Sequence, residues 1–418
     1  MIRSADSKSR LRLFSVLLSV AIGSSLAGRV DGQAAEPRPA DRSVETVDLF
    51  EAGADGYALY RIPGIVVTTN GTVLAYCEAR RSASGDWNAI DVLMRRSVDG
   101  GKTWGPPHHI AHHGVQVPKN EAALKQNLAK QSDVTVNNPV AIADAEPGVV
   151  HFLYCVEYSR CFYQRSDDDG ETFSDPVDIT SAFEELRKDY DWKVIATGPG
   201  HGIQLRSGRL IVPVWLSLGT GGHAHRPSVV STITSDDGGK TWHAGAIAAG
   251  PPELVNPSET VVAELSDGPV MLNIRSESQA HRRAVAISGD GASEWSKPVF
   301  QEELYEPICM GSLIRVPGEK GGLIFANPDP SEGAGTDAKA GQSRDRKNLT
   351  LRYSGDDGKT WMKSRVLDPG LAGYSDLAIN QQGEILCFYE RGSTDGNHYR
   401  TGSLRLARMP LEWLTEAE

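Results

Sequence analysis

Short apolar runs separated by turn residues recur along most of the chain. Each recurrence has the same form, in which two apolar runs flank a turn that contains glycine. This pattern predicts β-hairpins, because short apolar runs bounded by turn signals are typical of strands. The six segments that show it are residues 65–79, 141–158, 203–216, 261–275, 313–328 and 377–390.

The hairpins divide the chain into six modules, which begin near residues 61, 137, 200, 258, 310 and 374. Helical periodicity is almost absent, and only residues 183–192 and 409–418 look helical. Strand pairs repeated in this way predict an all-β fold, namely a six-bladed β-propeller whose closed ring buries its sheet edges. We expect residues 43–50 to add a strand that closes the ring against the last module. One domain would then span residues 45–410.

An eight-residue box repeats along the same chain. Clear copies begin at Ser97, Ser166, Ser235 and Ser354, and a degraded copy begins at Ser288. Its aspartate and glycine favour a tight turn, its threonine favours a strand, and its aromatic ring anchors the turn on a core. A calcium loop is the alternative, but the box lacks the later glutamate of an EF-hand. We therefore expect a folded hairpin turn rather than a ligand site.

Composition excludes some partners without fixing a function. The 418 residues include 54 acidic and 43 basic side chains, which gives a formal net charge of -11. Such a surface repels phosphate backbones, so no nucleic-acid partner is expected. An anionic small ligand is still possible, because a local cluster of arginines reverses the field inside a cleft.

The first 35 residues have the pattern of a targeting segment. Basic residues precede an apolar stretch over 13–26, and small residues follow at Gly32, Ala34 and Ala35. The stretch is short and serine-rich for a membrane span, which favours a secretory signal over residues 1–35. We expect a secreted or periplasmic protein with no stable membrane span after signal removal. An uncleaved membrane anchor is the alternative.

Cysteine and histidine do not form a recognisable metal or redox motif. Five cysteines leave at least one unpaired within the chain, and two adjacent antiparallel strands could bring Cys155 and Cys161 together. The histidines between residues 108 and 113 follow two prolines and are interpreted as a solvated run. No CxxC or HExxH motif occurs in the sequence. We expect neither a metal nor a cofactor.

A tetrapeptide in the first module gives the chain a family resemblance. Residues 60–63 (YRIP), followed by the repeated boxes, resemble the exo-α-sialidases that are built on an Asp-box propeller. The resemblance extends over residues 45–410 and implies three arginines that hold a substrate carboxylate. Guanidinium suits this role, because its planar fork pairs bidentately with a carboxylate and keeps its charge. The matching positions are Arg61, Arg275 and Arg346, with Arg344 as the alternative to the third.

The same resemblance implies an acid/base and a nucleophile. Asp86, in a Gly/Ser-rich loop, matches the aspartate that protonates the glycosidic oxygen and later activates water. Tyr374 matches the nucleophile, and Glu259 matches the carboxylate that takes its proton. A neutral phenol is suited to this chemistry, because the anomeric carbon of a sialic acid bears a carboxylate that would repel an anionic nucleophile.

Other residues are expected to support the site. Glu390 matches the glutamate that orients the first arginine, and Arg80 is expected to line the pocket near the ring or glycerol hydroxyls. We expect Trp87 to border the acyl pocket and His201 to face the same cavity. Asp91 is interpreted either as structural or as a residue that supports the site from behind.

These matches imply a secreted, retaining exo-α-sialidase that acts on glycoproteins, glycolipids or oligosaccharides through a tyrosyl-enzyme intermediate. A trans-sialidase and a hydrolase of a related nonulosonic acid are the alternatives within enzymes. A propeller that only binds glycan would have lost members of the catalytic set, and a structural scaffold predicts no convergence of the arginines. All seven positions match in type and order: Arg61, Asp86, Glu259, Arg275, Arg346, Tyr374 and Glu390.

Overall fold

The computed structural model describes most of the chain beyond its first 42 residues. The described ranges are 43–83, 85–112, 116–220, 223–318, 321–331 and 345–416. They fall in one compact unit, Asp41–Glu418. The expected signal segment over 1–35, together with His113 and Arg344, lies outside the described residues.

Strands make up nearly all of the regular structure, as the hairpin pattern predicts. The first twelve are β1 (Glu45–Glu51), β2 (Leu59–Val67), β3 (Val73–Arg80), β4 (Ile90–Ser97), β5 (His108–His109), β6 (Val136–Ala143), β7 (Val150–Val156), β8 (Arg160–Ser166), β9 (Val177–Asp178), β10 (Val194–Thr197), β11 (Gly200–His201) and β12 (Ile203–Gln204). The others are β13 (Leu210–Ser217), β14 (Ser228–Ser235), β15 (His243–Ala244), β16 (Thr260–Glu264), β17 (Val270–Ile274), β18 (Arg282–Ser288), β19 (Val299–Tyr305), β20 (Ser312–Arg315), β21 (Leu323–Pro328), β22 (Lys347–Ser354), β23 (Lys363–Ile379), β24 (Glu384–Arg391) and β25 (Ser403–Pro410).

Within the described ranges these strands form five sheets, in which neighbours along the chain are mostly neighbours in space. Their orders are β2-β3-β4-β5, β11-β6-β7-β8-β9, β10-β13-β14-β15 with β12 also on β13, β16-β17-β18-β19, and β1-β25-β24-β23-β22-β21-β20. The last sheet contains two groups of strands, because β23 pairs with β22 through its first half and with β24 through its second. Apart from β11 beside β6, the strand pairs are antiparallel.

The structure confirms all six predicted hairpins, with one correction in the third. That hairpin contains β12 and β13, but β12 has only two residues. The partner of the other end of β13 is β10, which the sequence pattern did not identify. The module therefore begins at Val194 rather than near residue 200. A four-residue strand followed by Gly-Pro is too short to give a distinct pattern.

The strand predicted at residues 43–50 is also confirmed. It forms β1 and pairs antiparallel with β25, where Val47 lies opposite Leu406. This pairing joins the first described strand of the chain to its last strand. This sheet therefore takes strands from the two ends of the described part of the chain and joins them by backbone hydrogen bonds.

Helices are few and short in the part of the chain that the structure describes. They are α1 (Glu121–Lys125), α2 (Ser181–Glu184) and α3 (Glu412–Thr415), with 3₁₀ turns at Ala54–Gly56 and Glu185–Lys188. Both predicted helical segments contain a helix, but α1 corrects the expectation that they are the only ones. Its five residues are too few for periodicity, and the Asn120 side chain caps it by accepting the Ala122 N–H at 2.9 Å. No helix in the described ranges has the length and apolar character needed to cross a membrane.

The repeated box folds as the turn that the sequence predicts. In the first copy, Asp99 accepts the backbone N–H of Thr103 at 2.9 Å and its hydroxyl at 2.6 Å. The indole N–H of Trp104 donates to the carbonyl of Gly101 at 3.1 Å. The degraded copy keeps the turn, since Asp290 retains comparable backbone contacts. The aspartates of the boxes therefore serve the turns themselves.

Glycines of the boxes bring neighbouring sheets into close contact. A Cβ at Gly170, in the second box, would lie 2.7 Å from a methyl carbon of Leu74 on β3. Only glycine permits so close an approach of the backbone. In the first box, a Cβ at Gly101 would lie 3.5 Å from Leu406 and 3.6 Å from Leu386. The turn after β4 therefore packs against β24 and β25.

Candidate active site

Two of the predicted site residues, Arg61 and Tyr374, lie where the pairing between strands is irregular. The register between β2 and β3 shifts between Arg61 and Gly64. The register between β23 and β24 shifts between Ala372 and Ser375, on either side of Tyr374. Bulges of this kind re-aim a side chain and are common next to active sites. The strands thus depart from regular geometry at the positions that the family resemblance singles out.

A cavity of about 560 Å³ collects these side chains. Its volume lies within the range of small-molecule binding sites. Glu390 lies behind the wall and is buried. The other predicted catalytic and carboxylate-binding residues, together with Arg80, come from several modules and line the cavity: Arg61, Arg80, Asp86, Glu259, Arg275, Arg346 and Tyr374.

The hydroxyl of Tyr374 lies between a carboxylate and a guanidinium. It donates to Glu259 Oε1 at 2.5 Å and accepts from Arg275 Nη1 at 2.8 Å. Arg275 also pairs with the second oxygen of Glu259. Burial raises the pKa of Tyr374 above its ordinary value, and the charge of Arg275 opposes this rise only in part. The free phenol therefore stays protonated, and Glu259 is placed to take its proton during attack on a substrate.

Glu390 fixes two parts of the cavity wall at once. Its Oε1 accepts Arg61 Nε at 2.9 Å and the backbone N–H of Ile62 at 3.1 Å. Its Oε2 accepts Arg61 Nη2 at 3.2 Å and the backbone N–H of Tyr374 at 3.1 Å. Burial acts to raise the pKa of Glu390, but the charge and hydrogen bonds of Arg61 outweigh it and hold the pKa below its ordinary value. The ionised carboxylate is thus paired with Arg61, as the family resemblance implied.

Arg346 lines the cavity, and two of its N–H groups have no partner among the described residues. Its Nη2 donates to the carbonyl of Ile308 at 2.5 Å. Its Nε and Nη1 are buried and have no hydrogen-bond partner among the described residues. The guanidinium carbons of Arg346 and Arg61 lie 5.2 and 5.1 Å from the ring centroid of Tyr374. Arg346 thus adds a third guanidinium to the cavity wall beside Arg61 and Arg275, and guanidinium groups are suited to pairing with a carboxylate.

Asp86 reaches the cavity from the loop between β3 and β4. Its Oδ1 accepts Arg80 Nη1 at 2.8 Å, and 41% of its side chain is exposed. Burial acts to raise the pKa of Asp86, but the nearby charges of Arg80 and Arg61 outweigh it. The pKa consequently lies below its ordinary value. Asp86 is therefore ionised in the free site.

Sequence reasoning missed Glu78, which is buried on β3. Its Oε2 accepts Arg80 Nε at 3.0 Å and Nη2 at 2.6 Å, and its Oε1 accepts the backbone N–H of Asn138 at 2.9 Å. Burial raises the pKa of Glu78, and Arg80 lowers it only in part. Glu78 holds Arg80 toward Asp86. The sequence signal that could have identified Glu78 is its position two residues before Arg80, since residues two apart on a strand share a face.

An aromatic wall on the cavity was also missed. It consists of Tyr158, Trp215 and His225, whose ring centroids lie 5.0 to 6.1 Å apart. Burial lowers the pKa of His225 to about 4, so its ring is neutral at neutral pH. Trp87 packs behind this wall, 4.4 Å from the ring of Tyr158, rather than in the cavity surface where we expected it. The wall has no local sequence motif because its members come from separate segments.

His201 does not face this cavity, contrary to expectation. It lies level with Ala141 on β6, three residues beyond Asn138, which does line the cavity. Three residues of strand span about 10 Å, enough to move His201 away. Its Nδ1 instead lies 2.7 Å from Asp376 Oδ1, and its ring lines a separate cavity of about 470 Å³.

The other sequence expectations concern structural residues. Asp91 accepts hydrogen bonds from the Tyr57 hydroxyl and from Arg81, each at 2.8 Å. Cys155 and Cys161 lie directly opposite each other on β7 and β8, as their spacing suggested, and both are free thiols. In the part of the chain that the structure describes, no group of three or more His, Cys, Asp or Glu side chains is arranged to hold a metal ion.

Comparison with known proteins identifies the family. Residues 71–387 match the family model described as a BNR repeat-like domain. A sialidase from Bacteroides fragilis (strain YCH46) is 32% identical over 370 residues, which cover 82% of this chain and 62% of that protein. The chain belongs to the BNR-repeat sialidase family. The resemblance stated from the sequence is thereby confirmed.

The members of the BNR-repeat sialidase family that match this chain include longer proteins. A sialidase from Micromonospora viridifaciens is 29% identical over 434 residues, which cover 97% of this chain and 60% of that protein. The chain therefore spans about three fifths of the length of these two bacterial relatives. Sialidase-3 of Bos taurus is 28% identical over 403 residues, which cover 82% of this chain and 89% of that protein.

Solved structures of sialidases share the fold. The Hadza microbial sialidase Hz136 superposes with a TM-score of 0.70 at 28% identity, covering 88% of this chain and 69% of that one. A leech intramolecular trans-sialidase superposes with a TM-score of 0.67 at 16% identity, covering 89% of this chain and 71% of that one. At so low an identity the second likeness concerns the fold alone.

Proposed function

We propose that this chain is a retaining exo-α-sialidase that removes terminal α-linked sialic acids from glycoproteins, glycolipids or oligosaccharides. The observation that carries the proposal is the hydrogen bond from Tyr374 to Glu259 in a cavity that also presents Arg61, Arg275 and Arg346. A sialic acid needs both features, since its carboxylate requires cationic partners and disfavours an anionic nucleophile. The sialidase relatives support the same activity.

The reaction would proceed in two displacements at C2 of the sialic acid. Asp86 donates a proton to the glycosidic oxygen as the bond from that oxygen to C2 breaks. The Tyr374 oxygen attacks C2, and its proton passes to Glu259. In the second step water attacks C2 as the bond from C2 to the Tyr374 oxygen breaks, Asp86 takes a proton from that water, and Glu259 returns its proton to the departing Tyr374 oxygen. Two inversions give net retention, and the steps need only these side chains, the substrate and water.

Asp86 must gain a proton before it can act as the acid. In the free site Arg80 helps to hold its pKa low. A bound sialic acid would bring a carboxylate to Arg61 and would displace water, and both changes raise the pKa of a nearby carboxyl group. Substrate binding would thus favour proton uptake at Asp86.

We also infer a closed six-bladed propeller that forms a single domain over residues 45–410. The seven-stranded sheet would count as two blades that share β23, and the packing of Gly101 on Leu386 and Leu406 supports contact between the first and last blades. Residues 1–35 would direct export. The mature protein would be secreted or periplasmic, without a stable membrane span or a nucleic-acid partner.

Turnover of a fluorogenic sialoside by the purified protein tests the activity, and ¹H NMR of the first product tests the stereochemistry. We expect the α-anomer to appear first and Tyr374→Phe to release almost none. Transfer of the sialyl group to added lactose in place of hydrolysis would identify a trans-sialidase. No release by the folded parent protein from acidic to neutral pH would contradict the proposal and favour a glycan-binding role.

A further inference from the structure

Tyr399 lies at the mouth of the active cavity. It contributes to the cavity wall, yet 45% of the residue is exposed to solvent. Among the described residues of this wall, no other large hydrophobic side chain has comparable exposure. The guanidinium carbon of Arg346 lies 4.8 Å from the ring centroid of Tyr399. An exposed aromatic ring thus adjoins the site proposed for the substrate carboxylate, and exposed apolar surface beside a cleft often marks a recognition site.

The turn that carries Tyr399 is braced from within. Asn397 Oδ1 accepts the backbone N–H of Tyr399 at 3.0 Å, and the Ser393 hydroxyl donates to the carbonyl of Asn397 at 2.7 Å. Arg400 pairs with Asp395 at 2.6 Å. These contacts fix the backbone of the turn. Holding a recognition side chain in place before binding reduces the entropy that binding must overcome.

The burial of the proposed reacting groups indicates which part of a substrate meets Tyr399. Tyr374 and Arg346 are buried, whereas Asp86 is partly exposed. In an exo-acting enzyme the terminal sugar fills the cavity, and the remainder of the glycan leaves through its mouth. Tyr399 is therefore placed to meet the sugar that bears the sialic acid. The C–H groups on one face of a pyranose form an apolar surface that complements an aromatic ring.

We propose that Tyr399 is a specificity-determining residue that binds the penultimate sugar of the glycan, a neutral pyranose, through the exposed part of its ring. The inference rests on the proposed sialidase function and extends it from the cleaved sugar to the next one. Such a contact favours glycan substrates without touching the reacting atoms.

The experiment compares kcat/KM on two substrates for the parent protein, Tyr399→Ala and Tyr399→Phe. Sialyllactose, in both common linkages, offers a penultimate sugar, whereas methyl α-sialoside has an aglycone too small to contact the ring. We expect Tyr399→Ala to lower kcat/KM about tenfold on the preferred sialyllactose and less than about twofold on the methyl sialoside. Tyr399→Phe should remain close to the parent protein on both, because the ring is retained.

Met362→Ala provides a matched control, since Met362 is 61% exposed and lies outside the cavity wall. It should leave both substrates unaffected. Equal losses on the two substrates in Tyr399→Ala would overturn the inference, because Tyr399 would then act on the sialic acid itself. No loss on either substrate would also overturn it. Failure of the parent protein to cleave either substrate would instead contradict the sialidase function on which the inference rests.

Discussion

Tyr374 donates its phenolic proton to Glu259 at 2.5 Å, although 115 positions separate the two residues in the sequence. Burial keeps the pKa of the Tyr374 phenol high. The hydrogen bond places the carboxylate of Glu259 where it can accept the phenolic proton. Arg275 touches both groups. A guanidinium in this position stabilises negative charge as it develops on the phenolic oxygen.

Replacing Tyr374 with phenylalanine tests the role of the phenolic oxygen without changing the packing of the ring. The ring remains in its cluster with Ile62, Cys309 and Met310, but the attacking oxygen is lost. We expect kcat/KM for a sialoside to fall by a factor of roughly 10³ or more.

Glu259→Gln should lower kcat/KM for a sialoside by about 10² to 10⁴, because the base is lost while the shape of the side chain is kept.

Two controls accompany these variants. Thermal unfolding should show that Tyr374→Phe stays folded, and a dehydrated sialic acid analogue should still bind it. Turnover by Tyr374→Phe close to that of the parent protein would exclude the tyrosyl mechanism.

The loss of kcat/KM in Asp86→Ala should depend on the leaving group of the substrate. An alkyl alcohol leaves poorly without a proton, whereas an acidic phenol leaves without help. We therefore expect a loss of about 10² to 10⁴ in kcat/KM on an alkyl sialoside and a much smaller loss on an aryl sialoside with an acidic phenol. Equal losses on both would argue that Asp86 positions substrate instead of donating a proton.

Glu390→Gln tests the buried pair with Arg61. Because this substitution leaves the buried charge of Arg61 unpaired, we expect a loss of about 3–5 kcal/mol in the free energy of unfolding. The KM should rise, since Arg61 loses the partner that orients it. The control is Glu121→Gln, which breaks an exposed pair with Lys125 and should change stability by less than about 0.5 kcal/mol. A Glu390→Gln protein as stable as this control would contradict the positioning role.

How much of this structure the sequence could predict depends on whether a feature leaves a local pattern. The hairpins and the box turns were predictable because each is encoded within a few adjacent residues. The strand β10 and the helix α1 were missed because four or five residues are too few to show a period. The aromatic wall was missed because only the tertiary fold brings Trp215 to Tyr158.

His201 was misplaced for a related reason. The glycine-rich sequence around His201 suggested a turn that faces the cavity. The parallel pairing of β11 with β6 instead places His201 opposite Ala141, away from the cavity. It forms a buried pair with Asp376, which also accepts the hydroxyl of Ser312 at 2.8 Å and the backbone N–H of Ile65 at 2.9 Å. Burial acts to lower the pKa of His201, but Asp376 outweighs it and holds the pKa above its ordinary value.

This raised pKa gives the pair a defined pH dependence. A group whose pKa is higher in the folded state contributes stability that is fully present below its unfolded pKa, about 6.5 for histidine, and is lost as pH rises through the folded value. We expect the difference in urea midpoint between the parent protein and His201→Asn to be largest near about pH 5.5 and to shrink at alkaline pH. Taking the difference cancels groups such as His151, whose pKa burial lowers and whose effect has the opposite sign. A difference that grew with rising pH would show that His201 is neutral in the folded protein.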